Sequence, residues 1–216
     1  MRCPSCDKKS LEIMENSIIV KERAVQRLLE QQDFYEPEYE ESTFSMLLVC
    51  RDTSCSEIVQ VIGQSGQVSD DDPRLGYERF YDPRYFYPTI PFIPIPQSYP
   101  EDLKELVLET CSLLPGHTHA AVQSMRIIIE YLLDHLGYEG KNLHRRIGAY
   151  QGEYKSYFEA LKWVGNTASH NDKAISLRDL EKCCALIDHI MHSIFEPKAN
   201  HDVLIESLKS KYGPKN

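Results

Sequence analysis

"HTHAAVQSMRIIIEYLLDHLG", residues 117–137, decides how the second half of the chain folds. Ala121, Met125, Ile128, Ile129, Leu132 and Leu136 recur at helical spacing, which sets them along one face of a long α-helix, and Gly137 supplies its stop. Helical patterns flank it on both sides. "EDLKELVLETCSLL" (101–114) precedes it, and "NLHRRIGAY" (142–150) and "EYKSYFEALKWVG" (153–165) follow as shorter amphipathic segments. "SLRDLEKCCALIDHIMHSIF" (176–195) opens on Ser176 with Asp179 three residues on, a variant of the capping box, and "HDVLIESLKSKYG" (201–213) is the last periodic run. Apolar stripes in series predict an antiparallel helical bundle over residues 101–216.

Upstream, the pattern changes. "DPRLGYERFYDPRYFYPTIPFIPIPQSYP" (72–100) holds seven prolines and eight aromatics. Proline blocks helix and central strand, so residues 73–100 are expected to form an extended, polyproline-like connector. Its aromatic content predicts that it packs along the surface of the bundle.

Residues 1–72 carry a different signature. "CPSC" places Cys3 and Cys6 at C-x2-C spacing, and "CRDTSC" places Cys50 and Cys55 at C-x4-C. Each pair sits in a tight turn, where backbone amides can hydrogen-bond the thiolates and four sulfurs can surround one ion. In a reducing compartment this spacing points to a structural Zn2+ rather than to disulfides. Four thiolates leave no open position for catalysis at the metal. The flanking runs "TFSMLLVC" (43–50) and "EIVQVIG" (57–63) are β-prone, as a zinc-ribbon hairpin requires. In the gap between the cysteine pairs, Ile18, Val25, Leu28 and Leu29 of "SIIVKERAVQRLLEQQ" (17–32) predict an inserted helix. Cys111, Cys183 and Cys184 fall inside helical patterns and read as buried, inert thiols.

The formal net charge is −9, and residues 1–100 hold most of it, with 10 Lys+Arg against 17 Asp+Glu. Neither half has the basic footprint of a dedicated nucleic-acid binder. Arg145, Arg146, Lys155 and Lys162 lie close in sequence and read as a solvated helix face. No apolar run approaches the ~20 residues that span a bilayer, and no signal peptide opens the sequence, so no membrane is involved and a cytoplasmic protein is expected.

The stretch "WVGNTASHN" (163–171) is the candidate site: a Gly-Asn pair with a histidine four residues after the asparagine, placed between two helical patterns. Taken in order, the cysteine ribbon, "YPEDLKELVLETCSLL", "HAAVQSMRIIIEYLLDHLG" and "LKWVGNTASHN" resemble an uncharacterised bacterial family of restriction and phage-defence proteins. The core of that family is similar to the HEPN (higher eukaryotes and prokaryotes nucleotide-binding) helical fold, and the resemblance covers about residues 85–196. It implies a mainly α fold class, a HEPN-like antiparallel helical bundle with a small N-terminal β zinc-ribbon. It also implies a homodimer that meets around residues 166–176, and a protein partner within a defence system.

HEPN ribonucleases cut RNA without metal, using an arginine, a polar residue directly after it and a histidine a few residues later. By that resemblance Asn166 stands for the polar residue and His170 for the acid/base, while Gly165 occupies the place of the arginine. Arg126 on the long helix, or Lys162, could supply the missing cation, and RNA would then be the ligand. The residues themselves favour another picture: Arg126 paired with Glu130 at i,i+4, holding Asn166 and His170 in one polar network. Gly165 then reads as a helix-end residue and Asn166 as a cap for the next turn. Two functions follow. One is a non-catalytic zinc-containing interaction or sensor module; the other is a metal-independent endoribonuclease using His170, Asn166 and Arg126.

Overall fold

The computed structural model describes residues 1–31, 34–69, 76–170, 175–196 and 208–212. Its strands are β1 (Leu11–Ile13), β2 (Ile19–Glu22), β3 (Ser42–Cys50), β4 (Ile58–Ser69) and β5 (Tyr77–Tyr87). Its helices are α1 (Gln26–Leu29), α2 (Glu101–Leu113), α3 (Thr118–His135), α4 (Leu143–Ala149), α5 (Lys155–His170) and α6 (Leu177–Phe195). Residues 208–212 are also helical, while 201–207 of the last expected helix lie outside the described residues.

Strict alternation builds the sheet. Phe44, Met46 and Leu48 of β3 and Val59 and Val61 of β4 point to one face and are buried, while Ile58, Gln60 and Ile62 point away. All pairings are antiparallel, in the order β1-β3-β4-β5, with β2 also pairing β3. The sheet curls around its buried face, which Cys3, Cys50, Leu11 and Ile90 complete.

This sheet overturns the mainly α expectation: the chain is mixed α/β. Two segments account for the difference. Residues 77–87, expected within the extended connector on the bundle, form an eleven-residue strand paired along β4 from Ser69↔Tyr77 to Gln60↔Tyr87. Pro83 is tolerated because, among the described residues, β5 pairs with no strand on its other side and the register shifts at Ile62/Gly63, opposite the proline. The expected inserted helix shrinks to the four residues of α1, because Ile19–Glu22 instead pairs with β3 at Ser45–Ser42. A backbone edge in need of hydrogen bonds outweighs a weak helical periodicity.

The helical half follows its stripes. Leu103, Val107 and Cys111 of α2 join Met125, Ile128, Ile129 and Leu132 of α3, with Phe158 of α5 and Leu180, Ile187 and Ile190 of α6, in a second core. Gly137 takes φ 81°, ending α3 in the left-handed conformation that glycine adopts without strain. Ser176 caps α6, its Oγ accepting from the Asp179 amide and donating to the Asp179 carboxylate. Ile93 and Tyr99 from the remainder of the connector sink into this core.

The basic cluster is not the solvated face it reads as. Arg146 and Lys162 are each only 7% exposed. Arg146 donates to the Tyr138 carbonyl (2.9 Å), the Glu130 carbonyl (2.7 Å) and the Asp134 carboxylate (2.5 Å), fastening α4 to α3. Closeness in sequence does not say which neighbouring helix covers a residue.

Candidate metal centre and the α3–α5 crossing

The two cysteine pairs converge. The sulfurs of Cys3, Cys6, Cys50 and Cys55 all lie within 4.8 Å of one another, with Cys3 3.7 Å from Cys55 and Cys6 3.7 Å from Cys50. The β1–β3 pairing produces this, since Leu11↔Cys50 brings the N-terminal turn beside the end of β3. Each turn ends on a residue with positive φ directly after its second cysteine, Asp7 (57°) and Ser56 (51°). That backbone bend aims amides inward: those of Cys6 and Ser5 bond the Cys3 sulfur, Asp52 that of Cys50, and Glu57 that of Cys55.

The four thiols fit a metal ion better than they fit one another. Ser10 Oγ lies 2.9 Å from the Cys50 sulfur, and that hydrogen bond holds the Cys50 thiol down at about 7. The amide at Glu57 pulls the Cys55 thiol down, but burial and the three neighbouring thiols push it up to about 12. Burial also pushes the Cys3 thiol up. Four sulfurs this close cannot all ionise unaided; a dication at their centre removes the repulsion. Lys8 pairs with Asp52 across the two turns and adds positive charge beside Cys6 and Cys50. Ser10, Lys8 and Asp52 escape a reading by cysteine spacing; the polar residues flanking each pair are the only trace of them in the sequence.

The second candidate site lies where α5 crosses α3. Helix α5 runs without a break through Gly165 and Asn166, so neither is a helix end nor a cap. Gly165 is required for another reason: a Cβ there would fall 2.6 Å from Cδ and 2.9 Å from Cγ of Arg126. Over that gap Arg126 Nη1 donates to Asn166 Oδ1 at 2.8 Å, and Gln123 Nε2 donates to the Gly165 carbonyl at 3.2 Å. The structure therefore brings Arg126 and Asn166 together. Among the described residues no ion pair joins Glu130 to Arg126, and the Glu130 backbone carbonyl serves Arg146 instead. His170 is the last residue of α5, and its side chain lies outside the described residues, as does Asn171. Lys162 Nζ lies 3.3 Å from His144 Nδ1 and 4.7 Å from the centre of the Trp163 ring.

The fold and its sites define a two-part protein: a four-cysteine antiparallel sheet followed by a helical bundle. Residues 1–86 match a family model described as a domain of unknown function (DUF8608), and residues 112–211 match a second one, also described as a domain of unknown function (DUF4145). The first match takes in both cysteine turns and nearly all of β5, so it reaches past the expected boundary at residue 72. No curated protein and no solved structure matches the chain. Among the described residues, no helix is long and apolar enough to cross a membrane.

Proposed function

We propose that the chain is a non-catalytic interaction or sensor module with one structural zinc ion, acting as a homodimer in the accessory machinery of bacterial anti-phage defence. The carrying observation is that Arg126 and Lys162, the two candidate phosphate clamps, are both engaged within the fold. Arg126 bonds Asn166 with its stem laid over Gly165, and Lys162 is buried against His144 and Trp163. A guanidinium committed to a helix crossing contributes rigidity, and freeing it for a substrate costs that bond. Zinc as the metal rests on the all-sulfur donor set and the knuckle-like turns. The defence setting and the homodimer rest on the resemblance alone.

One observation favours the ribonuclease reading. The Arg126 side chain fills the space above Gly165, the position where the related motif carries its arginine, and so sets a guanidinium next to Asn166. Incubating the purified chain with RNA beside a His170→Ala variant separates the two. The module reading expects no cleavage that depends on His170; cleavage lost in the variant makes the chain a ribonuclease. Metal analysis is expected to return one zinc per chain, and light scattering a dimeric mass.

A further inference from the structure

A cavity of about 660 Å3 lies between residues of the sheet and of the bundle, and none of Cys3, Cys6, Cys50, Cys55, Arg126, Gly165 and Asn166 lines it. Its size is that of a small-molecule site. Phe86 of β5, Phe92 from the segment after it, Leu114 after α2, and Leu177 and Leu180 of α6 give it a mainly apolar wall. The charged part is of one sign: Asp82, Glu181 and Asp188 line it, and among the described residues no lysine, arginine or histidine does.

The three carboxylates are not equivalent. Asp82 is held by Arg84 Nη2 at 2.5 Å. Glu181 and Asp188 recur with Cys184 and Ala185 at steps of three and four, so all four lie on one stripe of α6 that faces the cavity. Among the described residues the side chains of Glu181 and Asp188 make no hydrogen bond or ion pair. Burial pushes the Asp188 carboxyl up and outweighs the opposing influence of His192, Arg2 and His189. Arg2 is itself committed to Asp7 at 3.0 Å. A half-buried carboxylate without a donor, set in an apolar wall, is under-solvated and gains from a cation that brings its own apolar body.

We propose that this cavity binds a small apolar molecule bearing a single amine, its body against Phe86, Phe92 and Leu180 and its ammonium at Asp188 and Glu181. Carboxylate ligands of the same shape are turned away by like charge, and neutral ones gain only the apolar part. Since residues of both β5 and α6 line the cavity, an occupant touches the sheet and the bundle at once. The site uses none of the residues of the metal centre or of the α3–α5 crossing, so it stands whether or not the chain cleaves RNA.

The test is isothermal titration of the full chain, as purified with its metal, using three probes of one shape: phenylbutylamine, phenylbutanol and phenylbutyrate. The amine is expected to bind at least about tenfold more tightly than the alcohol, with no heat from the carboxylate. Asp188→Asn is expected to remove most of the amine's advantage over the alcohol while leaving the alcohol unchanged. Ala185→Phe, at an exposed position on the cavity stripe, is expected to weaken both. Should Asp188→Asn fail to fold, Glu181→Gln at an exposed position is expected to weaken the amine alone, by about threefold or more. No binding of the amine at millimolar concentration, equal binding of amine and carboxylate, or an amine affinity unchanged in both carboxylate variants overturns the proposal.

Discussion

Arg126 lies across Gly165 so closely that a Cβ on residue 165 would come within 2.6 Å of the arginine Cδ, while its guanidinium reaches Asn166 Oδ1 at 2.8 Å. The glycine and the hydrogen bond are one device. Removing the space should break the bond.

Gly165→Ala tests this with opposing terms. In a helix interior alanine is favoured over glycine by about 1 kcal/mol. Displacing Arg126 costs its charged hydrogen bond to Asn166, about 1.5–3 kcal/mol. The single variant is therefore expected to be less stable by about 1 kcal/mol. In an Arg126→Ala background the same substitution is expected to stabilise by about 1 kcal/mol, since nothing remains to displace. Urea unfolding of the two singles and the double measures the coupling; a Gly165→Ala that stabilises equally in both backgrounds refutes it.

The same position shows what a sequence conceals. Glycine is the usual residue at a helix end, so "KWVGN" reads as a stop, and only the crossing with α3 reveals that the missing side chain is needed for clearance. The four-cysteine cluster was legible because its signal is local: two short cysteine spacings fix two turns, and the flanking β-prone runs fix the hairpin. The helices from α2 to α6 were legible because each buries a stripe of its own periodicity. The strand β5 was not, since Pro83 argues against a strand unless its unpaired edge and the bulge beside Gly63 are known. The burial of Arg146 and Lys162 was hidden for a similar reason. Each is placed by a neighbouring helix, and a single chain of letters does not state which helices are neighbours.

Loss of the proposed zinc ion is expected to be local. Small structural zinc sites bind with apparent free energies on the order of 10–16 kcal/mol, which is folding free energy for the turns they hold. A strong chelator, or Cys50→Ser, should disorder the two cysteine turns and weaken the β1–β3 pairing next to them. The bundle core, which contains none of the four ligands, should keep its helical signal. Far-ultraviolet circular dichroism with and without chelator checks this. Collapse of the helical signal on chelation would show that the two cores fold as one unit.

Arg146 and Asp134 are expected to respond unequally, although they form one ion pair. The Arg146 side chain is 8% exposed and also serves two carbonyls, whereas that of Asp134 is 60% exposed. Removing the buried partner strips hydrogen bonds from the Tyr138 and Glu130 carbonyls and opens space beside α3, so Arg146→Ala should cost about 3 kcal/mol. Asp134→Asn leaves an arginine that keeps its carbonyl contacts and should cost under about 1 kcal/mol. Equal losses in denaturant midpoint would mean that the charge pair, rather than the carbonyl contacts, fastens α4 to α3.

Glu40 sets the acid limit of the sheet. Its carboxylate accepts from Arg79 Nη1 (2.6 Å) and Nη2 (3.0 Å), from Ser42 Oγ (2.7 Å) and from Gln67 Nε2 (2.6 Å), joining β3, β4 and β5 at one end. The Arg79 hydrogen bonds, outweighing burial, hold the carboxyl down at about 2 against an ordinary value of 4.5. Because the folded value is the lower one, the stabilisation is fully present above about pH 4.5 and is lost as pH falls towards about 2. Its size, discounted for the partly exposed arginine, is on the order of 2 kcal/mol. Urea unfolding followed by a signal from the sheet should show the midpoint falling across that interval. Glu40→Gln should lower stability at neutral pH and flatten the acid limb, because the amide has no proton to gain. An acid limb of unchanged slope in that variant would assign the acid sensitivity to other carboxylates, and the clasp at Glu40 would then be worth little.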